Sequence, residues 1–156
     1  MPLRVRVPRI DIPYSYSRPV ADIADGLWTN EAGSSVNLYA SVDEVTADNA
    51  DYIKSADLLA GSADDVVQLD LGDITDPLAD TGNVLSFTYR RVNVSGTGLV
   101  LGLKVDLMEG ALVRATTTVS VSDTNWVSGS ISLTEAEGAA VVSYSSLSVR
   151  LTAIEG

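Results

Sequence analysis

The chain has 156 residues and a mass of 16.4 kDa, room for one ordinary domain whose single core needs neither metal nor disulfide to hold it. It contains no Cys and no His, which excludes thiol nucleophiles, disulfides, thiolate or imidazole zinc sites, the Ser-His-Asp triad and the imidazole proton shuttle. Ten basic residues against 21 acidic ones give a formal charge of -11 and a pI near 4.1, a balance that opposes binding to nucleic acid or to an anionic membrane.

Four of the five prolines (Pro2, Pro8, Pro13 and Pro19) fall in the opening stretch, together with Arg4, Arg6, Arg9 and Arg18. Proline fixes φ, lacks an N–H and pushes its predecessor toward extended geometry, so residues 1–24 are expected to form an extended, polyproline-like arm ahead of a domain over 25–156. Residues 1–20 hold four Arg and one Asp, net +3, so the other 136 residues carry six basic and 20 acidic groups, net -14. Arm and body attract. The arm either lies on its own domain as an edge strand or reaches a neighbouring subunit, burying Val5, Val7, Ile10, Ile12 and Tyr14 while its Arg side chains pair with carboxylates. The partner-binding candidates are Arg4, Arg6, Arg9, Ile10, Ile12, Tyr14 and Arg18. This opening never forms the apolar centre of a secretory signal, and runs such as Leu99-Val100-Leu101 are far short of the ~20 residues that cross a bilayer. Synthesis without export is expected.

Beyond Ser34 the dominant period is two. Leu99, Leu101, Leu103, Val105 and Leu107 alternate with Val100, Gly102, Lys104, Asp106 and Met108, which puts aliphatics on one face of a long strand. The same alternation runs through Val36-Leu38, Val67-Leu71, Leu85-Tyr89, Val113-Val121, Ile131-Leu133 and Leu147-Leu151, with a weaker strand at Tyr52-Ile53. Clusters of Gly, Asp, Asn and Ser separate them. These features describe an all-β, antiparallel β-sandwich of about eight strands, of jelly-roll or immunoglobulin-like order. Gly110 supplies the positive φ of a tight hairpin, so the strands on either side of it should be neighbours. Thr134 and Glu137 have the spacing of a capping box, which predicts a helical turn around 135–141.

Residues 1–80 hold 15 of the 21 acids and residues 81–156 hold six, leaving a nearly neutral C-terminal half. Its outward positions Thr116, Thr118, Ser120, Ser122 and Ser148 are expected to form a flat polar face, solvated or packed on identical subunits. Asp43, Glu44, Asp48 and Asp51 cluster in one turn and Asp73, Asp76 and Asp80 in another, but neither run has the spacing of a calcium loop. Turn formation and solubility explain them. Paired carboxylates also serve glycoside hydrolysis, yet these acids sit in turns where solvent keeps their proton affinity low. Asp106 reads as an outward strand residue in a weak ion pair with Lys104. Trp28 and Trp126 read as plugs at the ends of the sandwich rather than a sugar-stacking platform, and Gly96-Thr-Gly98 as a hairpin rather than a phosphate cradle.

Several stretches carry a family resemblance: Gly26-Leu27-Trp28, Asp51 to Ser55, Val84 to Arg90, Leu103 to Gly110, and Ser145 to Leu151. Over residues 25–154 the chain resembles small β-sandwich virion proteins encoded by tailed bacteriophages. The resemblance implies a structural subunit, a capsid decoration or cement protein, with no catalytic residue, metal ligand or cofactor. Its partners would be the major capsid protein or other virion proteins and further copies of itself, a trimer foremost, with neither nucleic acid nor membrane. The alternative is a carbohydrate- or receptor-binding module of a tail fibre.

Overall fold

The computed structural model describes residues 16–46, 48–56, 58, 61–77, 81–91 and 101–155; among them the fold is all-β with one short helix. The described strands are β1 (Ala21–Ala24), β2 (Thr29–Asn30), β3 (Ile53–Lys54), β4 (Asp65–Asp70), β5 (Val84–Tyr89), β6 (Leu101–Glu109), β7 (Leu112–Val121), β8 (Val127–Ser132) and β9 (Leu147–Glu155). A five-stranded sheet runs in the order β1-β4-β9-β6-β7, and two-stranded ribbons join β2 to β3 and β5 to β8. Every pairing is antiparallel.

The pairings are nested. β6 pairs with β7, β5 with β8 and β4 with β9, so these six strands form one long ribbon doubled on itself. Winding that ribbon brings β9 beside β6 as well. The period-two patterning explains why it winds. Val67 and Leu69 of β4, Leu103, Val105 and Leu107 of β6, Ala115 of β7 and Val149 and Leu151 of β9 share one face. That face is covered by Leu85 and Phe87 of β5, Ile131 of β8, and Trp28, Leu38, Tyr39, Val42 and Ile53. Val67, Leu69 and Val105 are essentially inaccessible to solvent, and burial of such side chains stabilises the fold by about 1.5–3 kcal/mol each.

Seven of the expected strands are present as β3 to β9, but the strand expected at Val36-Leu38 is not one: Leu38–Ser41 is a 3₁₀ turn. Asn37 before it is left-handed, with φ 56°, which interrupts an extended run. Asp22 then takes the next two backbone donors, its carboxylate accepting from the N–H groups of Leu38 and Tyr39 at 2.8 Å each. β1 and β2 are strands the alternation did not reveal, and both are short. The last four residues of the expected arm, Ala21–Ala24, are β1 itself, an edge strand antiparallel to β4. Residues 1–15 lie outside the described residues.

The hairpin at Gly110, with φ 56°, joins β6 to β7 as neighbours. The capping box is also present at the start of α1 (Glu135–Ala140). The Glu137 N–H donates to the Thr134 hydroxyl at 3.2 Å, and the Glu137 carboxylate accepts from the Thr134 N–H at 2.8 Å. Thr134→Ala should cost about 1 kcal/mol and lower the melting temperature by about 2–4 °C in a calorimetric scan.

Candidate functional site

The polar face of the five-stranded sheet holds an ionic cluster built by strand register. Asp106 of β6 lies opposite Thr116 of β7 on one side and Arg150 of β9 on the other. Lys104, two residues earlier on β6, shares the same face. The Arg150 Nε and Nη2 donate to Asp106 Oδ2 at 3.0 and 2.6 Å, and the Thr116 hydroxyl donates to Oδ1 at 2.6 Å. The Lys104 ammonium stands 3.4 Å away. Asp106 is fully buried (0% exposed), whereas the Arg150 and Lys104 side chains are 29% and 40% exposed. Their stems run along the sheet while their heads engage the carboxylate.

The expected weak surface pair is therefore corrected: Asp106 is on the polar face, but it is buried and its main partner is Arg150. Burial pushes its proton affinity up, but the hydrogen bonds from Thr116 and Arg150 and the charge of Lys104 outweigh it and hold the carboxyl below its ordinary value. A carboxylate held this way is a poor proton donor and a weakened base, so the cluster acts as a fastener for three strands. Ser148 is corrected likewise. It lies on this face of β9, accepts from Gln68 Nε2 at 2.8 Å and is buried, as is Met108 opposite it. Thr116, Thr118, Ser120 and Ser122 are exposed, as expected.

Other acids expected in solvated turns are also engaged in the fold. Asp65 is buried and accepts from the N–H groups of Leu27 and Ala56 at 2.8 and 2.9 Å. A shallow open cleft of about 650 Å³, lined in part by Gly26, Leu27, Ala56, Leu58 and Asp65, adjoins it, but the carboxylate is turned into the backbone. Glu109 accepts from Arg114 Nε at 2.6 Å and from the N–H groups of Val142 and Ser143 at 3.1 and 2.6 Å. Against the cost of desolvation, these bonds keep it below the usual Glu range. Glu44 departs from the solvated-turn expectation in the opposite sense. Burial raises its proton affinity, and the adjacent Asp51 and Asp43 raise it further. Among the described residues no group of three acids converges as a metal site; Asp80 lies outside them.

Of the candidate arm residues, Arg4, Arg6, Arg9, Ile10, Ile12 and Tyr14 lie outside the described residues. Arg18 is described, and its Nε donates to the Glu44 carbonyl at 3.0 Å, tying the leader to the acidic turn of its own body. The Ser17 hydroxyl donates to the Leu71 carbonyl. Trp28 is the core plug that was expected. Trp126 is half-buried and outside the core cluster. It meets Tyr52 edge-on at 6.1 Å, and the Arg90 guanidinium lies 4.8 Å from the Trp126 ring centre and 5.7 Å from that of Tyr52. The sequence signal for the Asp106 cluster was a lone Asp and a lone Arg in the polar phases of two strands, 44 residues apart. Only the β6–β9 pairing joins them.

No family model, no curated protein and no solved structure matches this chain.

Proposed function

We propose that the chain is a non-enzymatic structural protein of a bacteriophage virion, a capsid decoration or cement subunit assembled in the host cytoplasm. It stabilises a shell by being held in place. The observation that carries this reading is the division of charge: a leader of net +3 over residues 1–20 precedes a body of net -14. The buried carboxylates Asp65, Asp106 and Glu109 are already engaged by the chain's own backbone and cations, so the leader's remaining attraction is to exposed acid, on its own body or on a neighbour. Exchange of arms around a symmetry axis, a trimer foremost, then clamps adjacent shell proteins, and many weak contacts act together. The finer architecture belongs to this proposal: an eight-stranded jelly-roll sandwich with an extended arm, supported by the nested β4–β9, β5–β8 and β6–β7 pairings. The partners are the major capsid protein or other virion proteins, without nucleic acid, membrane or cofactor.

The test is deletion of residues 1–15, which leaves the Ser17 and Arg18 contacts in place. The shortened chain should keep its melting transition yet no longer sediment with shells assembled from the phage's major capsid protein. Equal co-sedimentation of both chains refutes the arm's role; failure of the full chain to co-sediment refutes the shell reading. The Trp126, Tyr52 and Arg90 cluster favours a second reading, a glycan- or receptor-binding module of a tail fibre, in which a sugar would displace Arg90 from the Trp126 face. Retention on a glycan array that is lost in Trp126→Ala supports that reading.

A further inference from the structure

The five-stranded sheet ends in two unlike edges. β1 is four residues long, carries Asp22 and has an irregular register between Asp22 and Ala24. β7 is ten residues long, and among the described residues only its β6 side is paired. Its one irregularity lies opposite Leu107 and Met108, so residues 115–121 run in unbroken register. Alternate N–H and C=O groups of such a strand point away from the sheet, and among the described residues no backbone bond reaches them from elsewhere in the chain. Natural sheets guard an edge of this kind with Lys, Pro, inward charge or a bulge. Residues 115–122 read Ala-Thr-Thr-Thr-Val-Ser-Val-Ser, with none of these residues and no charge.

We propose that the outer edge of β7 is a contact between two copies of this chain, paired antiparallel over residues 115–121 about a two-fold axis at Thr118. Charge selects the occupant. Each copy carries -11, yet residues 110–122 contain no acid and one Arg, Arg114, which already pairs with Glu109. A second copy meets little repulsion along this edge, whereas a cationic partner is drawn to the acid-rich turns instead. The edge is also self-complementary. Two-fold pairing sets Thr118 against Thr118 of the second copy, Thr117 against Val119 and Thr116 against Ser120, all small or β-branched pairs that suit a ladder. Two five-stranded sheets become one of ten. Seven residues per copy bury less than a standard interface, so the contact is weak in solution and gains strength when repeated in an assembly. This inference does not depend on the virion reading. Deleting residues 1–15 removes arm exchange and leaves the β7 contact, while variants at Thr118 do the reverse.

The chain has no Cys, so Thr118→Cys under mild oxidation reports proximity directly, with Ser86→Cys, exposed on β5, as the collisional control. Lys104 lies opposite Thr118 on β6. Thr118→Lys therefore gathers four ammonium groups around the axis and should raise the dimer dissociation constant about tenfold or more in sedimentation, with the melting curve retained. Thr118→Glu meets Lys104 and should keep the dimer. Concentration-dependent dimerisation, fast disulfide formation at position 118 alone and this dependence on the sign of charge support the contact. It is overturned if the full chain stays monomeric at every concentration, if the two Cys variants cross-link equally, or if the Lys and Glu variants behave alike.

Discussion

Replacing Asp106 with Ala should lower the unfolding free energy by about 3–5 kcal/mol, because it removes the buried carboxylate that the Arg150 guanidinium, the Lys104 ammonium and the Thr116 hydroxyl all face. For a chain of this length that is a fall of roughly 6–20 °C in melting temperature. Chemical denaturation of the purified variant checks the size, and the double replacement Asp106→Leu with Arg150→Met checks the cause. Removing both charges in favour of apolar groups of similar bulk should recover most of the loss. A loss unchanged in the double variant would point to packing at position 106 rather than to the ion pair. Acid has a defined sign here. Asp106 and Glu109 are held below their ordinary values of 3.8 and 4.5, so their stabilisation is complete above those values and disappears as the pH falls through the lower values of the folded protein. Asp106→Asn should accordingly flatten the acid limb of the stability profile. Glu44, with its proton affinity raised, acts the other way: its contribution favours the fold at low pH and is lost as the pH rises through its folded value.

Gly26→Ala should cost about 2–4 kcal/mol, from two independent sources. Its φ is +57°, which a side chain tolerates poorly. A Cβ there would also stand 2.2 Å from the Val66 carbonyl oxygen and 2.7 Å from Asp65 Oδ1, so β4 must shift and the Leu27 N–H to Asp65 bond is put at risk. Gly33→Ala is the matched control. With φ +84° and nothing within 4 Å of its would-be Cβ, it carries the conformational cost alone, about 1–2 kcal/mol. Equal losses in the two variants, measured by denaturation, would refute the steric part, and Trp28 fluorescence should change only in Gly26→Ala, where the neighbouring turn is displaced.

The strands from β4 onward are legible because their evidence is local: a side chain every second residue, and Gly, Asp and Ser where the chain turns. The hairpin at Gly110 and the cap at Thr134 are local as well, each settled within four residues. The alternation at Val36-Leu38 reads as a strand, whereas Leu38–Ser41 is a 3₁₀ turn, because the cause of the turn is remote. Asp22, sixteen residues away, captures its first N–H groups, and the Val36-Leu38 alternation gives no hint of that. β1 and β2, four and two residues long, offer too few residues for any period to show.

The placement of the acids divides along the same line. Composition shows that the chain is strongly anionic, lacks Cys and His, and opens with a cationic proline-rich leader, and no folding changes these facts. Which carboxylates meet water and which meet a guanidinium depends on winding the β4–β9 ribbon until β9 lies against β6. Arg150 then faces Asp106 across 44 residues of chain and Gln68 reaches Ser148 across 80. The same winding leaves β7 at the rim of the sheet, with one edge unpaired among the described residues. Alternation along a strand tells which face a residue takes, but not which strand will lie beside it; that follows from burying the shared apolar face, a property of the whole chain.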